Sequence, residues 1–323
     1  MRVMVTGATG FVGGHMMRAL VEAGHSVRAL VRDEAKLCRA TELHRIDGAD
    51  VEGIVGDILD RAAVDEAVLG CDACVHAAAF TSLNEEEMPK ALGINAPGAR
   101  NVLDAAVAAA CDPIVHVSTM SVIFPPEGDV LSADDPIKGG GAPYNASKAE
   151  ADLHARALQD AGHPVVIVYP AGCTGPDDLG TNIMEMVLTQ VVTGPVFMTA
   201  DTGGALVVDI RDIASAIAVL MRPGQGAARY MMGGTFMPWP EYAEVIDRVT
   251  GIEHPRVHVT RAELEGAFDA EAVDMMLGLV PPNDAPLHRA TGVQWRPVED
   301  TLRDTLRWMI DRGALDPAYA PAV

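Results

Sequence analysis

The stretch that most constrains the fold of this chain is the run of residues 1–14. Residues 2–6 are predicted to form a short buried strand, and an apolar helical pattern begins at residue 12. Between them lie glycines spaced G-x-x-G-x-x-G, one residue wider than the G-x-G-x-x-G form. A strand, a glycine turn and a helix in this order place free backbone N–H groups at a helix N-terminus, where the helix dipole also favours an anion. We therefore predict a pyrophosphate site whose cofactor-binding residues are Gly7, Thr9, Gly10, Phe11, Val12 and Gly13.

Strand and helix patterns continue to alternate after this stretch. The further predicted strands are residues 26–31, 51–55, 73–77, 113–118 and 165–169. The predicted helices include residues 60–69, 94–110 and 145–161, and Pro97 is tolerable only in the first turn of the second of these. A β-α-β series of this length predicts an α/β fold, a doubly wound parallel sheet covered by helices on both faces. Ligands are then expected at the carboxyl ends of the strands.

Composition narrows the class of partner. The 323 residues carry 45 Asp and Glu against 24 Lys and Arg, and the net charge of −21 argues against nucleic acid or an anionic membrane surface. No apolar run is long enough to span a bilayer and the first strand begins at residue 2, so we expect no signal peptide and a cytoplasmic location. The five cysteines are scattered, as in a reduced protein. We interpret the C-x-x-C pair Cys71 and Cys74 as core residues and predict no metal site.

The residues that follow the second strand predict the type of dinucleotide. An arginine at this point pairs with a ribose 2′-phosphate, whereas a carboxylate accepts hydrogen bonds from a 2′-hydroxyl. Arg32 comes first and Lys36 follows closely, so the sequence favours NADP. NAD stays an alternative cofactor, because Asp33 supplies a carboxylate at the same point.

The ends of the next two strands predict the rest of the adenosine site. Asp57 is placed to accept a hydrogen bond from the adenine amino group, and Ile58 to cover the ring. Ala77, Ala78 and Ala79 have small side chains that let a cofactor pass over the backbone. We interpret His76, just before them, as a buried core histidine rather than a catalyst.

The chemistry is predicted after the fifth strand and in the helix that follows. Ser118 and Thr119 end the strand in hydroxyl groups, and Tyr144 and Lys148 lie four residues apart on one face of a helix. A nearby lysine cation, helped by an oxidised nicotinamide, favours the phenolate and lowers a tyrosine pKa from its usual value of about 10. Tyr144 would then exchange a proton with a carbonyl or alcohol, while Thr119 holds the substrate oxygen and Lys148 the nicotinamide ribose.

With these residues in place, the chain resembles an extended short-chain dehydrogenase/reductase of the NAD-dependent epimerase/dehydratase superfamily, and within it the dihydroflavonol-reductase-like branch. The motifs that carry the resemblance are TGATGFVG at 6–13, VRALVRD at 27–33, GD at 56–57, HAAA at 76–79, VST at 117–119, and Tyr144 with Lys148. The resemblance implies a Rossmann-type sheet with a smaller C-terminal substrate lobe.

The resemblance also implies roles for individual residues. The hydroxyl residue of the family's catalytic triad falls on Thr119, with Ser118 beside it, and the helix-bending asparagine falls on Asn95. Residues 169–176 resemble the family's R-P-x-x-V-Y-G-P segment beside the nicotinamide, which implies that Tyr169, Pro170 and Cys173 bind the cofactor. The segment departs from the pattern in carrying Tyr169 for arginine and a Cys-Thr pair for Val-Tyr.

The family architecture implies a division of the chain. Residues 1–173, with returning pieces near 206–233, form the dinucleotide-binding domain, and residues 174–205 and 234–323 form the substrate lobe. Residues 241–249 and 298–310 are predicted as amphipathic helices of the lobe, and the Gly-Gly-Gly run at 139–141 as a flexible active-site loop. By analogy with the family, a homodimer is expected through the helices 94–110 and 145–161.

Three functional classes follow from these features. The first is an NADP-dependent reductase or dehydrogenase, the second a nucleotide-sugar epimerase with the same triad, and the third a non-catalytic dinucleotide sensor. The presence of Thr119, Tyr144 and Lys148 disfavours a sensor, which needs no proton-transfer group. Residues 177–200 contain no Lys or Arg to pair with a diphosphate, so the sequence favours a reductase of a small or largely apolar carbonyl compound.

Overall fold

Strands and helices alternate along the whole protein. The computed structural model describes residues 1–81, 84–139, 141–178 and 182–321, with the backbone alone at residue 85. The strands of the described part are β1 (Arg2–Thr6), β2 (Ser26–Val31), β3 (Val51–Val55), β4 (Ala73–His76), β5 (Ile114–Val117), β6 (Val165–Pro170), β7 (Cys173–Thr174), β8 (Phe197–Thr199), β9 (Gly204–Asp209), β10 (Ala228–Met232), β11 (Thr235–Pro238) and β12 (Arg256–His258). The helices are α1 (Phe11–Glu22), α2 (Glu34–Leu43), α3 (Arg61–Val68), α4 (Met88–Ala108), α5 (Pro143–Asp160), α6 (Ile183–Thr193), α7 (Ile210–Leu220), α8 (Trp239–Thr250), α9 (Arg261–Glu265), α10 (Ala270–Gly278), α11 (Ala285–Thr291) and α12 (Val298–Asp311).

Seven parallel strands in the order β10-β6-β5-β4-β1-β2-β3 form the central sheet. Its inner strands β1, β4, β5 and β6 are almost completely buried, which explains why they read as continuous apolar runs. This arrangement confirms the predicted α/β class with a doubly wound parallel sheet.

The strand order sets where a ligand can bind. From β1 the chain moves through β2 to β3 at one edge, and from β4 it moves through β5 to β6 in the opposite direction. Because parallel crossovers are right-handed, the two series place their helices on opposite faces of the sheet. The crevice between β1 and β4, where the direction reverses, is therefore the expected ligand site.

Two predicted helices begin earlier than expected, because prolines start them. Pro89 stands in the first turn of α4, so the helix begins at Met88 instead of residue 94. Pro97 consequently lies in the helix interior and not in its first turn, and the residue at position i−4 is Gly93, which has no side chain. Pro143 likewise occupies the first position of α5, which brings Tyr144 into the first helical turn.

A second hydrophobic core lies outside the central sheet. We call the part of the protein around it the outer lobe and define it as α6, β8, α8 and α12 with the strands between them. This core is made by apolar residues such as Leu188, Phe197, Tyr242 and Leu306. The chain also returns to the central sheet: β10 becomes the edge strand beside β6, and α7 packs against α1. Among the described helices, none has the length and apolar character needed to cross a membrane.

Candidate active site and cofactor cleft

A single continuous cleft of about 1860 Å³ runs over the carboxyl ends of the strands and continues under the outer lobe. Its lining begins at the glycine turn after β1 and includes residues after β2, β3, β4 and β5, as expected for a site at the switch point. Ligand pockets commonly measure roughly 300–1,000 Å³. The cleft is therefore large enough for a dinucleotide and a second molecule.

The glycine turn has the geometry that a pyrophosphate needs. Gly7 adopts a φ of +78°, and a Cβ at this position would lie 2.7 Å from the backbone of Ala77 and Ala78. A Cβ at Gly13 would overlap the backbone of Gly7, so this glycine allows α1 to approach β1 closely. Gly10 is the N-cap of α1 and supplies no side-chain cap, which leaves the first amides of the helix to face the cleft. All six residues of the turn that were predicted to bind the cofactor line this end: Gly7, Thr9, Gly10, Phe11, Val12 and Gly13.

The end of the cleft beside β2 is basic. Arg32 and Lys36, the predicted phosphate ligands, line it and are exposed. Arg39 lines it as well and was missed by the sequence analysis, because α2 was not predicted. Asp33 is the N-cap of α2, and its Oδ1 accepts hydrogen bonds from the backbone N–H groups of Ala35 at 2.9 Å and Lys36 at 3.2 Å. If a helix is assumed to begin after the capping residue Asp33, Lys36 and Arg39 lie three residues apart on one face of it. This pattern could have identified Arg39 from the sequence.

The remaining predicted adenosine residues also lie along the cleft. Asp57 accepts a hydrogen bond from the backbone N–H of Leu59 at 2.9 Å, whereas Asp60 caps α3. The Ile58 side chain packs directly against Gly98 of α4, where a Cβ would overlap it. Ala77, Ala78 and Ala79 line the cleft between these residues and the glycine turn.

Thr119, Tyr144 and Lys148 come together at the centre of the cleft. The Tyr144 hydroxyl hydrogen-bonds the Thr119 side chain, and Thr119 Oγ1 lies 3.1 Å from Ser121 Oγ. Lys148 Nζ donates to the carbonyl oxygen of Val117 at 2.7 Å, which anchors the ammonium to the end of β5. Ser118 also lines the cleft, and its buried hydroxyl makes no hydrogen bond with the described residues.

Burial controls the electrostatics of this group. Burial raises the pKa of Tyr144 to about 12. The thiol of Cys173 raises this pKa further, whereas the hydrogen bond from Thr119 lowers it. Burial also lowers the pKa of Lys148 to about 8. The pKa of Tyr144 is thus raised by its protein surroundings, because removal of the phenolate from water outweighs every other contribution. The lowering that was predicted for Lys148 together with an oxidised nicotinamide stays a prediction.

Asn95 was predicted as catalytic, but its side chain is buried and does not line the cleft. Its Oδ1 accepts a hydrogen bond from the backbone N–H of Phe80 at 2.6 Å, and its Nδ2 donates to the Phe80 carbonyl and to Ser147 Oγ, both at 2.8 Å. Asn95 thus fixes α4 to the helix that carries Lys148. Its assignment to the catalytic residues stays a prediction.

Tyr169 was predicted to bind the cofactor, but it is absent from the described residues that line the cleft. Its side chain is completely buried, donates a hydrogen bond to Asp152 Oδ1 at 3.1 Å and accepts one from Arg156 Nη2 at 2.9 Å. Successive strand residues point to opposite faces of a sheet, so Tyr169 faces α5 while its neighbours reach the ligand side. Pro170 and Cys173 do line the cleft.

Several histidines and cysteines near the cleft are buried in the protein interior. His76 lies 2.7 Å from Thr6 Oγ1, and burial lowers its pKa to about 3, so its ring is neutral. Cys71 and Cys74 are buried free thiols, as predicted. His15 and His44 pack edge to face at 4.6 Å under the glycine turn, near Asp177. Burial lowers the pKa of each of these two histidines to about 4, and His15 Nε2 bonds the Pro176 carbonyl at 3.0 Å.

The part of the cleft under the outer lobe is mostly apolar, although Asn182, Gln190, Asp269 and Glu271 also line the cleft. Its walls are formed by Met184, Val187, Val191, Val196, Phe197, Met198, Leu206, Val207, Trp239, Tyr242, Phe268, Met275, Met276 and Leu279. Among the described residues that line the cleft beyond Lys148 along the chain, none is a lysine or arginine. Within the glycine run at 139–141, Gly141 lines the cleft and Gly140 lies outside the described residues.

Comparisons with known proteins agree with this geometry. The family model for the NAD dependent epimerase/dehydratase family matches residues 3–233. The chain is 28% identical to sterol demethylase protein B of Methylococcus capsulatus, over 82% of this chain and 80% of the relative. It is also 28% identical to a putative dihydroflavonol 4-reductase of Synechocystis, over 78% of this chain and 73% of the relative.

A solved structure shows the same fold at lower identity. It is the UDP-glucose-4-epimerase of Stenotrophomonas maltophila with bound NAD and formylated UDP-arabinopyranose, with a TM-score of 0.79, 20% identity, and coverage of 97% of this chain and 98% of the other. The family model matches most of the chain. The chain therefore belongs to the NAD-dependent epimerase/dehydratase family and is an NAD(P)-dependent oxidoreductase of the extended short-chain dehydrogenase/reductase type.

Proposed function

We propose that this protein is an NADP-dependent oxidoreductase that reduces the carbonyl group of a small or largely apolar substrate, or oxidises the corresponding alcohol. The observation that carries the proposal is the division of one cleft into a basic end and an apolar end. Arg32, Lys36 and Arg39 line the first, and the second contains methionine, valine and aromatic side chains.

The basic end supports NADP over NAD. A 2′-phosphate needs cations, and three lie along this part of the cleft: Arg32, Lys36 and Arg39. A 2′-hydroxyl instead needs a carboxylate, but one oxygen of Asp33 is already engaged by two amides of α2. Asp33 is also absent from the described residues that line the cleft.

The residues at the centre supply the proton chemistry. Bound NADPH would supply a hydride to the carbonyl carbon, and the glycine turn with Lys148 would hold it. Thr119 donates a hydrogen bond to the substrate oxygen, and the Tyr144 hydroxyl gives its proton to that oxygen as the alcohol forms. A pKa raised to about 12 keeps Tyr144 protonated at neutral pH, as a proton donor requires. In the reverse direction Tyr144 must lose its proton, and Lys148, held 2.7 Å from the Val117 carbonyl, is the nearby cation that stabilises the phenolate.

The apolar end supports an apolar substrate over a nucleotide sugar. The described lining residues that follow Lys148 in the sequence include no lysine or arginine to pair with a diphosphate buried there. Lys90, which also lines the cleft, lies over the Phe80 ring and donates to Glu87 Oε1 at 3.3 Å. Apolar walls instead bind a hydrophobic body by burial of its surface. The similarity to a sterol demethylase protein B, whose name refers to a large apolar molecule, is in line with this substrate class.

The test is an NADPH-oxidation screen over carbonyl compounds that increase in apolar area, from benzaldehyde to a long-chain methyl ketone and a steroid ketone. UDP-glucose and dTDP-glucose are titrated in parallel by calorimetry. We expect turnover that rises with apolar area and no micromolar binding of either nucleotide sugar. Micromolar binding of a nucleotide sugar, with NAD that survives purification, would establish the epimerase alternative instead.

A further inference from the structure

The helix that carries Tyr144 and Lys148 has no side-chain cap of its own. Ala142 is the N-cap of α5 and has no side-chain acceptor, and Pro143 occupies the first helical position. Tyr144 follows at once, so the proton donor lies in the helical turn that frays most readily. The position of its hydroxyl therefore depends on what holds this turn in place.

A carboxylate from a distant part of the chain holds it. Glu271 Oε2 accepts a hydrogen bond from the backbone N–H of Ala142 at 2.6 Å, and Glu271 Oε1 accepts one from the side-chain amide of Asn145. Gly141 makes room for this contact, because a Cβ on it would overlap the Glu271 carboxylate. A negative charge at the N-terminus of the 18-residue α5 is also favoured by the helix dipole.

The same carboxylate belongs to a wall of the substrate end. Glu271 lies in the first turn of α10, and Met275 and Met276 of α10 line the apolar part of the cleft. Trp239 of the outer lobe donates a hydrogen bond from Nε1 to the Met276 carbonyl at 2.9 Å, which holds the far end of α10. One short helix thus contacts both the region for the apolar substrate and the start of the catalytic helix.

We propose that Glu271 is a positioning residue, which docks α10 on the first turn of α5 and so fixes the hydroxyl of Tyr144 against Thr119. An apolar substrate that packs on Met275 and Met276 stabilises α10 in this position, so filling the apolar end also orders the proton donor. The docking contact itself stands on the geometry alone, and only its kinetic consequence rests on the proposed reductase function.

Hydrogen exchange measured by mass spectrometry tests the docking contact without any substrate. Glu271→Ala and Glu271→Gln are compared with the wild-type protein, and Glu265→Ala is the matched control. Glu265 is an exposed carboxylate of neighbouring α9, paired with Arg261 at 3.5 Å. We expect exchange over residues 142–148 to accelerate about fivefold to tenfold in Glu271→Ala, the scale of a lost helix cap. Glu271→Gln, which keeps the side-chain shape, should show a smaller effect, and Glu265→Ala none.

A rescue variant separates positioning from general damage to the fold. Ala142→Asp gives α5 its own N-cap, so in the Glu271→Ala background it should restore much of the protection of residues 142–148. Exchange at these residues that is the same in wild type, Glu271→Ala and Glu271→Gln would overturn the proposal. If Glu271→Ala does not fold, Glu271→Gln alone decides: unchanged exchange refutes the contact, and local acceleration supports it.

The kinetic arm uses NADPH with the fastest carbonyl compound of the panel described above. We expect Glu271→Ala to lower kcat about tenfold, as a misplaced proton donor does, with an unchanged Kd for NADPH. An unchanged kcat alongside accelerated exchange would show that the contact does not govern Tyr144 and would overturn the positioning role. If no carbonyl compound is reduced by the wild-type protein, the proposed function fails while the exchange experiment still tests the contact.

Discussion

Replacement of Arg32 by alanine should change which nicotinamide cofactor the protein prefers. Arg32 is exposed at the basic end of the cleft, and it shares that end with Lys36 and Arg39. A hydrogen bond to a charged group contributes about 1.5–3 kcal/mol, and about 1.4 kcal/mol corresponds to a tenfold change in Kd. Solvent screens an exposed arginine, and two cations remain, so we expect the lower end of this range. NADPH should bind about tenfold more weakly to Arg32→Ala, whereas the affinity for NADH should change little.

Calorimetric titration of NADPH and NADH into each variant measures this difference. Arg32→Ala with Arg39→Ala should weaken NADPH by about a hundredfold, since each substitution removes one cation from the same phosphate. Arg61→Ala is the matched control, because Arg61 is exposed, pairs with Asp65 at 2.7 Å on α3 and is absent from the described residues that line the cleft. Higher salt should weaken NADPH more than NADH in the wild-type protein and should narrow the difference between variants.

If Arg32→Ala binds NADPH and NADH more weakly by the same factor, Arg32 does not contact the 2′-phosphate. Asp33→Ala provides an independent check on the same point. Because Asp33 caps α2, its loss should lower the free energy of unfolding by about 1 kcal/mol in a urea titration. The affinity for NADH should not change. A large loss of NADH binding would show instead that Asp33 binds the ribose 2′-hydroxyl of NAD.

The remaining predictions concern the centre of the cleft and the assembly. Tyr144→Phe should lower kcat by at least about a hundredfold with an unchanged Kd for NADPH in steady-state and binding assays; a wild-type rate would contradict the role of the phenol. Burial lowers the pKa of Lys148 to about 8, so the unfolded chain binds more protons between that pH and the usual lysine pKa. The free energy of unfolding of the wild-type protein should therefore rise over this pH range, whereas Lys148→Met lacks the titrating group. The amount by which Lys148→Met is more stable than wild type should shrink as the pH rises from about 8 to about 10. Light scattering at micromolar concentration should give the mass of a homodimer formed through α4 and α5, and a monomer mass would count against it.

Local patterns in the sequence were enough to predict the sheet and much of the candidate site. Strand β1, the glycine turn and α1 are contiguous, and each contributes a pattern readable over a few residues. The same holds for Tyr144 and Lys148, which are one helical turn apart. These features depend on short-range geometry, so the chain alone specifies them.

Other features depended on structure that the sequence patterns did not reveal. Arg39 reaches the cleft only because Asp33 starts a helix that was not predicted. Tyr169 was placed beside the cofactor by its position in a motif, but the alternation of side chains along β6 directs it to Asp152 and Arg156 on the other face.

Burial and long-range contacts were the least accessible to sequence reasoning. The pKa of Tyr144 is set by the surface removed from water around it, which no pairing with Lys148 along the helix reveals. Glu271 lies far along the chain from Ala142, and its contact with α5 follows from the docking of α10. Such contacts have no periodic pattern, since they depend on how separate elements pack.

Deuterium labelling follows hydride transfer from NADPH to a carbonyl compound. The wild-type protein is incubated with NADPH carrying deuterium at the nicotinamide C4 position and with each carbonyl compound of the panel, and the products are examined by mass spectrometry. We expect an alcohol that gains one deuterium from NADPH. It should form fastest from the more apolar carbonyl compounds, and at least about a hundredfold more slowly with Tyr144→Phe than with wild type. Deuterium that reaches none of these compounds, with UDP-glucose epimerised by a cofactor that is not consumed, would contradict the proposed reductase function.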